Sequence, residues 1–276
     1  MRKPLVAGNW KMNGNSAMTA SLCHDIVCGA NEATNVKGLE HEAGAKPSDL
    51  QILICPPYPF LSTASASLLR SYQEEVTEKA SIYLGAQDLD VNENGAFTGQ
   101  VSGEMLKDIG CRFVIIGHSE RRQYFNESNL LISKKLNRAN NCGLTAIVCI
   151  GETLEQRQSG QTEAVIEEQL QSILDKGNQV AVQNMVIAYE PVWAIGTGVT
   201  ASPDQAQHIH HLIRTLLAKH DPSLAQQCRI LYGGSMKPEN AEELMKQPDI
   251  DGGLIGGAAL NAQDFLSICR SAAASL

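Results

Sequence analysis

The feature that most constrains the fold of this 276-residue chain is a repeated alternation of short apolar segments and longer helical patterns. The predicted strands are Leu5–Gly8, Gln51–Cys55, Ile82–Ala86, Phe113–Ile116, Thr145–Ile150, Met185–Tyr189, Arg229–Tyr232 and Gly253–Ile255. The helical patterns that follow them are Ala17–Ala30, Phe60–Ser71, Ser102–Ile109, Asn129–Asn140, Thr162–Lys176, Ser202–Lys219, Glu239–Met245 and Asp264–Ala274. Continuous apolar strands are typical of a parallel sheet that helices cover on the outside, so the alternation predicts an α/β protein.

The number of strand–helix units predicts a single (β/α)₈ barrel, the TIM-barrel fold, over residues 1–276. Eight such units in a chain of this length match that fold, which typically has about 250 residues. An open doubly wound sheet is the alternative, but it usually carries a G-x-G-x-x-G turn after its first strand, where this chain has G-N-W-K. A polar segment at about 31–50 interrupts the alternation, and we interpret it as a surface insertion on the face away from the carboxyl ends of the strands.

Two of the predicted helices begin with capping signals. Ser16 precedes the first helix, and Ser202 followed by Pro203 begins the sixth. Serine favours the N-cap position and proline the first helical position. We therefore expect the hydroxyl groups of Ser16 and Ser202 to accept backbone N–H groups of the first helical turn.

Charge and hydropathy exclude two classes of partner. The net charge of −8 and the isoelectric point near 5.4 argue against nucleic acid, because binding a phosphate backbone requires a basic face. The longest apolar runs, such as Leu144–Ile150, are far too short to span a membrane. We therefore expect the chain to bind neither.

The cysteines and histidines predict no metal site. Eight scattered cysteines without paired C-x-x-C motifs argue against structural zinc, and a disulfide framework is unusual at this length. His208, His210 and His211 lie in a helical pattern, where His208 and His211 could share one face but lack a third ligand. We expect reduced core cysteines in a cytoplasmic protein.

The segment AYEPVWAIGTG, which begins at Ala188, predicts a base beneath a movable loop. A strand ends in Glu190, and Pro191 favours an extended backbone at that residue. The following residues 194–198, named here the lid segment, contain glycines that can absorb large dihedral changes. A carboxylate under a closing lid is suited to proton transfer with water excluded.

Other polar residues also follow predicted strands. Asn9 and Lys11 follow the first strand, His118 the fourth and Glu190 the sixth. In a (β/α)₈ barrel these strand ends meet at one rim, where catalytic residues lie. A helix start after His118 would disfavour its imidazolium form, so we expect a neutral hydrogen-bond donor to a developing oxyanion.

Glycine-rich turns predict a phosphate site on the same rim. The turn Tyr232–Ser235 follows the seventh strand, and Ile255–Gly257 follows the eighth. Such turns present backbone N–H groups to an anion, and Gly196 in the lid segment could add another. Because no segment matches G-x-x-x-x-G-K, a small phosphorylated metabolite is favoured over ATP.

Taken together, these segments closely resemble the triosephosphate isomerase family. The matching segments are AGNWKMNG at 7–14, CPPYPFL at 55–61, GAQD at 85–88, NGAFTGQVS at 94–102, IIGHSERR at 115–122, CIGE at 149–152, AYEPVWAIGTG at 188–198, YGGS at 232–235 and IGGA at 255–258. The resemblance implies a cofactor-independent isomerase of glycolysis and gluconeogenesis that interconverts dihydroxyacetone phosphate and D-glyceraldehyde 3-phosphate through an enediol(ate).

The resemblance also implies roles for individual residues, as in the known members of this family. Glu190 would move the proton between carbons, and His118 would polarise the carbonyl group. Lys11 would supply fixed positive charge, with Asn9 beside it and Glu120 as a supporting carboxylate. The residues implied to bind the substrate phosphate are Gly196, Ser235, Gly256 and Gly257.

Members of the family form homodimers, and the resemblance implies the same here. The loop Asp88–Gly103, with Phe97 and Thr98 near its tip, would then reach the active site of the partner. The chain departs from the family pattern at Val199, where many members have lysine, and at Ala259, where serine is common.

Two other functions are compatible with parts of the pattern. One is a phosphate-binding barrel that acts on a larger indole or phosphoribosyl substrate. The other is a non-catalytic sensor of a phosphorylated metabolite, or a scaffold, on an inherited barrel. The retention of both Glu190 and His118 favours an enzyme over the second alternative.

Overall fold

The computed structural model describes residues 2–34, 50–74, 81–196 and 200–275, and within them a closed barrel of eight parallel strands. The strands are β1 Leu5–Asn9, β2 Gln51–Cys55, β3 Ser81–Ala86, β4 Phe113–Ile116, β5 Thr145–Ile150, β6 Val186–Tyr189, β7 Ile230–Tyr232 and β8 Gly252–Ile255. Each strand pairs with the next in the chain, and β8 pairs with β1. The predicted (β/α)₈ barrel is therefore confirmed, and the open doubly wound sheet is excluded.

Two layers of apolar side chains fill the structure on either side of the strands. The inner layer consists of Leu5, Ala7, Leu53, Cys55, Phe113, Ile115, Ile147, Cys149, Val186, Ala188, Leu231 and Leu254, with Tyr83 packed against it. Alternate strand residues, such as Val6 and Ile54, join the larger outer layer between strands and helices. Both faces of the strands are buried except at a few positions, such as Gln51, Ser81 and Thr145 at the amino ends, so the strands are mostly apolar and show no regular polar alternation.

Helices surround the barrel in the described part of the chain. They are α1 Ser16–Thr34, α2 Leu61–Glu74, α3 Gly103–Ile109, α4 Ser119–Phe125, α5 Asn129–Asn141, α6 Leu154–Gln158, α7 Thr162–Lys176, α8 Gln179–Gln183, α9 Pro203–His220, α10 Pro222–Gln227, α11 Pro238–Met245 and α12 Ala262–Ala274. Single 3₁₀ turns cover Tyr58–Phe60, Val192–Ala194 and Gly257–Leu260. The helix start predicted after His118 is confirmed by α4. The sequence prediction missed α6, α8 and α10, since helices of five or six residues are too short for an apolar period.

The two predicted helix caps have different outcomes. Ser202 accepts the N–H of Gln205, whose side chain in turn accepts the N–H of Ser202, so this cap is confirmed. The prediction for Ser16 was wrong, because Ser16 is already helical and Asn15 accepts the N–H of Met18. An asparagine caps a helix as well as a serine does, and the pattern alone could not choose between these neighbours.

The predicted surface insertion at about 31–50 is only partly within the described residues. Helix α1 continues to Thr34, beyond the predicted end at Ala30, and β2 follows soon after Leu50. The intervening residues 35–49 lie outside the described part of the chain. The insertion itself therefore stays a prediction.

All eight cysteines are described, and none forms a disulfide bond. Six are buried, Cys142 is half-buried and Cys28 is exposed, so the expectation of core cysteines was wrong for Cys28. No helix of the described residues combines the length and the hydropathy needed to cross a membrane.

We predict that Gly252→Ala prevents proper closure of the barrel. Gly252 has φ of +140°, and a Cβ atom there would lie 2.0 Å from the carbonyl oxygen of Leu5 on β1. We expect the substitution to lower the free energy of unfolding by at least about 4 kcal/mol, measured by urea denaturation.

Gly160→Ala is the matched control for this prediction. Gly160 has φ of +72°, but a Cβ atom there would meet no atom within 4 Å. The control should lower the free energy of unfolding by only about 1 to 2 kcal/mol, which is the cost of a left-handed backbone at a non-glycine residue. Equal losses in the two variants would contradict the steric explanation.

Candidate active site

Glu190 follows β6 directly, and its carboxylate is buried. The side chain is only 2% exposed, and its backbone N–H donates to Ile150 on β5 at 2.8 Å. The backbone N–H of Ser119 donates to Oε2 at 2.8 Å, and Oε1 lies 2.9 Å from Nε2 of His118. The carboxylate therefore faces the start of α4 and the imidazole of His118.

His118 is the N-cap residue of α4, as the helix start in the sequence led us to expect. The backbone N–H of Glu120 donates to Nδ1 of the imidazole at 3.2 Å. An acceptor nitrogen must carry a lone pair, so the ring proton of this arrangement lies on Nε2. That nitrogen faces Glu190.

The direction of the pKa shift at His118 differs from the expectation. Burial of the ring is the largest single effect and lowers the pKa of His118, but the charge and hydrogen bond of Glu190 and the charge of Glu120 together raise it by more, so that it lies above its ordinary value. Burial raises the pKa of Glu190, but His118 and the N–H of Ser119 lower it, so that it lies below its ordinary value. The helix N-terminus alone does not decide the charge of His118, because the carboxylate of Glu190 lies 2.9 Å from Nε2 of the ring.

Lys11 lies at the same rim in a constrained conformation. Its φ is +52°, which is uncommon for a non-glycine residue, and its backbone N–H donates to Oδ1 of Asn9 at 3.0 Å. Its ammonium lies 2.6 Å from Oε1 of Glu120. Nε2 of Gln87 donates to the carbonyl groups of both Lys11 and Cys55 at 2.9 Å, which ties the Lys11 turn to the end of β2.

The residues predicted to bind the phosphate follow β6, β7 and β8, and they differ in how closely they approach the other residues of the site. Gly256 is beside Lys11, since a Cβ atom on Gly256 would lie 3.6 Å from Cε of that lysine. Gly257 begins a 3₁₀ turn and has open space on its Cα, Ser235 is half-buried, and Gly196 is exposed. Among the described residues, no hydrogen bond or ion pair joins Gly196 or Ser235 to Lys11. Their assignment to one site therefore depends on their positions after strands whose carboxyl ends meet at the same rim. Thr197, Gly198 and Val199 lie outside the described residues.

A cavity of about 480 Å³ opens at this rim. Its polar wall includes Asn9, Lys11, His118 and Glu120, and its apolar wall includes Met12, Tyr58, Tyr124 and Phe125. Glu190 does not line it. None of the residues predicted to bind the phosphate lines it either, so the cavity is a recess beside the predicted substrate site.

Sequence reasoning missed the role of Glu152, which supports the start of the lid segment. Its carboxylate is fully buried, and Oε1 accepts Nε1–H of Trp193 at 2.9 Å and the hydroxyl of Tyr189 at 3.2 Å. The guanidinium of Arg157 lies 3.3 Å from the same oxygen and stacks on the Trp193 ring at 4.5 Å. Its position just after β5 was the available signal, since the other site residues also follow strands.

The three neighbouring histidines of α9 contact a carboxylate or a carbonyl group, and Nδ1 of His210 lies 3.2 Å from the carbonyl oxygen of Asp249. His208 lies 2.9 Å from Glu163, and His211 lies 3.1 Å from Asp249. His210 is buried, and burial lowers its pKa to about 3. The described residues contain no group of three or more metal-binding side chains.

The fold and the site define a (β/α)₈-barrel enzyme with a carboxylate, an imidazole and an ammonium group at the carboxyl ends of its strands. The family model described as triosephosphate isomerase matches residues 4–272, and the chain belongs to that family. It is 47% identical over 271 residues to triosephosphate isomerase of Vesicomyosocius okutanii subsp. Calyptogena okutanii (strain HA), covering 98% of this chain and 100% of the relative. It is 46% identical to that of Dechloromonas aromatica (strain RCB) and 48% identical to that of Herminiimonas arsenicoxydans, each over 272 residues, 99% of this chain and 100% of the relative.

We predict that Glu190→Gln lowers the pKa of His118. Glutamine keeps the shape of the side chain but removes the negative charge that favours the imidazolium. In the wild type, the stabilisation that this imidazolium gains is complete below the ordinary histidine pKa, about 6.5, and is lost as the pH rises through the raised pKa. The contribution of Glu190 is lost as the pH falls through its lowered pKa.

Nitrogen NMR of the His118 ring as a function of pH measures this shift. Glu120→Gln is the control, because Glu120 raises the pKa of His118 less than Glu190 does. An unchanged His118 pKa in Glu190→Gln, or a larger change in Glu120→Gln, would show that another group controls the imidazole.

Proposed function

We propose that this protein interconverts dihydroxyacetone phosphate and D-glyceraldehyde 3-phosphate, with Glu190 and His118 transferring the protons. The match to its family over nearly the whole chain supports the activity. The 2.9 Å approach of Glu190 to His118 on the rim that also carries Lys11 is the single observation that best supports these roles. Family membership does not favour a larger indole substrate or a sensor without catalysis.

The reaction requires a base that can reach two neighbouring carbons. Glu190 removes a proton from C1 of dihydroxyacetone phosphate, and the electrons of that bond form an enediolate. His118 moves the hydroxyl proton from the oxygen on C1 to the oxygen on C2, and Glu190 returns its proton to C2. Because the carboxylate is only 2% exposed, it must leave the N–H of Ser119 and turn towards the bound substrate before it can act. Closure of the lid segment would drive this movement while excluding water.

His118 acts as the hydrogen-bond donor to the substrate oxygens. Its Nε2 carries the ring proton while Nδ1 accepts from Glu120, so the same N–H is available once Glu190 has moved. The raised pKa depends on the nearby carboxylate and falls when that carboxylate leaves. The ring then serves as a neutral donor to the developing oxyanion, which agrees with the established mechanism of this family.

The remaining rim residues hold the substrate in place. The ammonium of Lys11 stabilises the negative charge of substrate and enediolate, Asn9 fixes the backbone N–H of Lys11, and Glu120 orients the ammonium. The phosphate would be bound by the backbone N–H groups of the turns after β7 and β8 and of the lid segment. These groups belong to Gly196, Ser235, Gly256 and Gly257.

We predict that Glu190→Gln abolishes most of the proton transfer. Glutamine cannot accept the substrate proton, and loss of a general base costs about 10²–10⁴-fold in rate. The measurement is incorporation of solvent deuterium into dihydroxyacetone phosphate.

Glu163→Gln is the matched control. Glu163 is an exposed glutamate of α7 that pairs with His208 and does not line the cavity at the rim, so its variant should exchange at the wild-type rate. Unchanged exchange in Glu190→Gln, with the fold intact, would exclude Glu190 as the base.

We further propose that two copies of the chain form a homodimer. The loop Asp88–Gly103 exposes Phe97, which is 44% exposed, and the cavity beside the site exposes apolar side chains such as Met12 and Phe125. A protruding apolar tip and an apolar recess on the same molecule suit a reciprocal two-fold interface. Each loop would then lie beside the active site of the other copy.

We predict that Phe97→Asp weakens this assembly. A buried carboxylate would lack a partner, and loss of a central aromatic contact of about 2 kcal/mol corresponds to roughly 30-fold in the dissociation constant. Sedimentation equilibrium measures the change.

The control is Leu69→Asp, which alters a 63% exposed leucine on α2 and should leave the mass of the assembly in solution unchanged. A monomeric wild type, or a Phe97→Asp variant that dimerises normally, would reject this interface. We propose a cytoplasmic location, which the lack of a disulfide bond among the eight described cysteines supports.

A further inference from the structure

Two consecutive arginines at the start of α4 have very different surroundings. Arg121 belongs to a cluster of charged side chains, with Asp88 at 2.8 Å and Glu127 at 2.7 Å. Arg122 turns the other way and donates to neutral acceptors. These are the carbonyl oxygen of Gly117 at 2.9 Å, Oδ1 of Asn129 at 2.6 Å and the carbonyl oxygen of Cys149 at 3.1 Å.

The charge of Arg122 has no carboxylate partner within 4.0 Å in the described ranges. Burial lowers the pKa of Arg122. An unpaired cation in a partly buried place is costly, whereas its neighbour Arg121 is fully paired. The contacts that Arg122 makes must therefore depend on the shape of the guanidinium, and not on ion pairing.

The first of these contacts controls the residue that precedes His118. Gly117 has φ of +66°, and a Cβ atom there would lie 2.7 Å from Cδ1 of Ile132, so only glycine fits. The carbonyl of Gly117 and the N–H of His118 belong to one planar peptide group. By binding that carbonyl, Nε of Arg122 fixes the plane from which the His118 side chain projects.

The contact with the carbonyl group of Cys149 connects this turn to the strand that supports Glu190. Cys149 lies on β5, and the next residue, Ile150, accepts the backbone N–H of Glu190 at 2.8 Å. One guanidinium thus bridges the turn that carries His118 and the strand that holds the backbone of Glu190. Asn129, at the start of α5, holds the guanidinium in this bridging orientation.

We propose that Arg122 is a positioning residue, whose planar guanidinium sets the His118 imidazole relative to Glu190 and the substrate. The inference depends on the proposed role of His118. Lysine could keep the charge but not the bridge, because a single ammonium cannot reproduce the fixed fork of donors on a guanidinium. Arg122→Lys therefore separates charge from shape.

The test compares the kinetics of Arg122→Lys with those of Arg214→Lys. We expect Arg122→Lys to lower kcat by about 10²-fold, the effect of a displacement of about 1 Å at a reacting group, with KM little changed. Arg214 also donates to carbonyl groups, those of Ala225, Cys228 and Asp249, but it pairs with Asp249 and Asp251 at the opposite end of the barrel. Its variant should lose stability without a comparable loss of kcat.

Two further readouts distinguish positioning from general destabilisation. The nitrogen NMR signals of the His118 ring should shift in Arg122→Lys and stay unchanged in Arg214→Lys. Added guanidinium, at concentrations far below those that unfold the protein, should restore part of kcat in Arg122→Ala. The same addition should leave Arg214→Ala unaffected.

A wild-type kcat in Arg122→Lys, or a loss of kcat with unchanged His118 signals, would overturn the proposal. If Arg122→Lys does not fold, Asn129→Ala tests the proposal in its place. That variant keeps Arg122 but frees its guanidinium, so it should lower kcat several-fold and shift the same signals, and the absence of both effects would reject positioning. His118→Gln separates this result from the proposed function: full activity in that variant rejects the role of His118, whereas lost activity with a normal Arg122→Lys rejects only the role of Arg122.

Discussion

Pairing of β8 with β1 is the constraint on which the rest of the molecule depends. It turns a row of parallel strands into a ring, so that the carboxyl ends of the first and last strands become neighbours. This closure brings Gly256 beside the side chain of Lys11. An open sheet would keep the cation and the proposed phosphate turn at opposite edges, and the same residues could not form one site.

Within the ring, the position of Glu190 is a balance of opposing effects. Burial alone would favour the neutral acid, but the N–H of Ser119 and the imidazole of His118 favour the carboxylate. The same contact raises the pKa of His118 against the effect of its own burial. The two groups thus hold each other in place, and the proposed reaction begins when a bound substrate and a closed lid separate them.

The sequence predicted most of this architecture because the relevant signals are local. Apolar runs between turns locate strands such as Gln51–Cys55 and Thr145–Ile150 at their observed bounds. The rule that functional groups follow strands located Lys11, His118 and Glu190. Gln87, Glu152 and Arg122 remained without assigned roles, because an isolated polar residue does not reveal which distant carbonyl or indole it will meet.

The barrel, the family and the chemical groups at the rim could be predicted from the residues alone, since periodicity and strand-end position are properties of neighbouring residues. The folded chain was needed to show that Glu190 lies against His118, that the pKa of His118 is raised, and that Arg122 bridges Gly117 and Cys149. Hydrogen bonds and charge interactions change greatly over a few ångströms between residues far apart in the chain. Those distances exist only once the ring has closed.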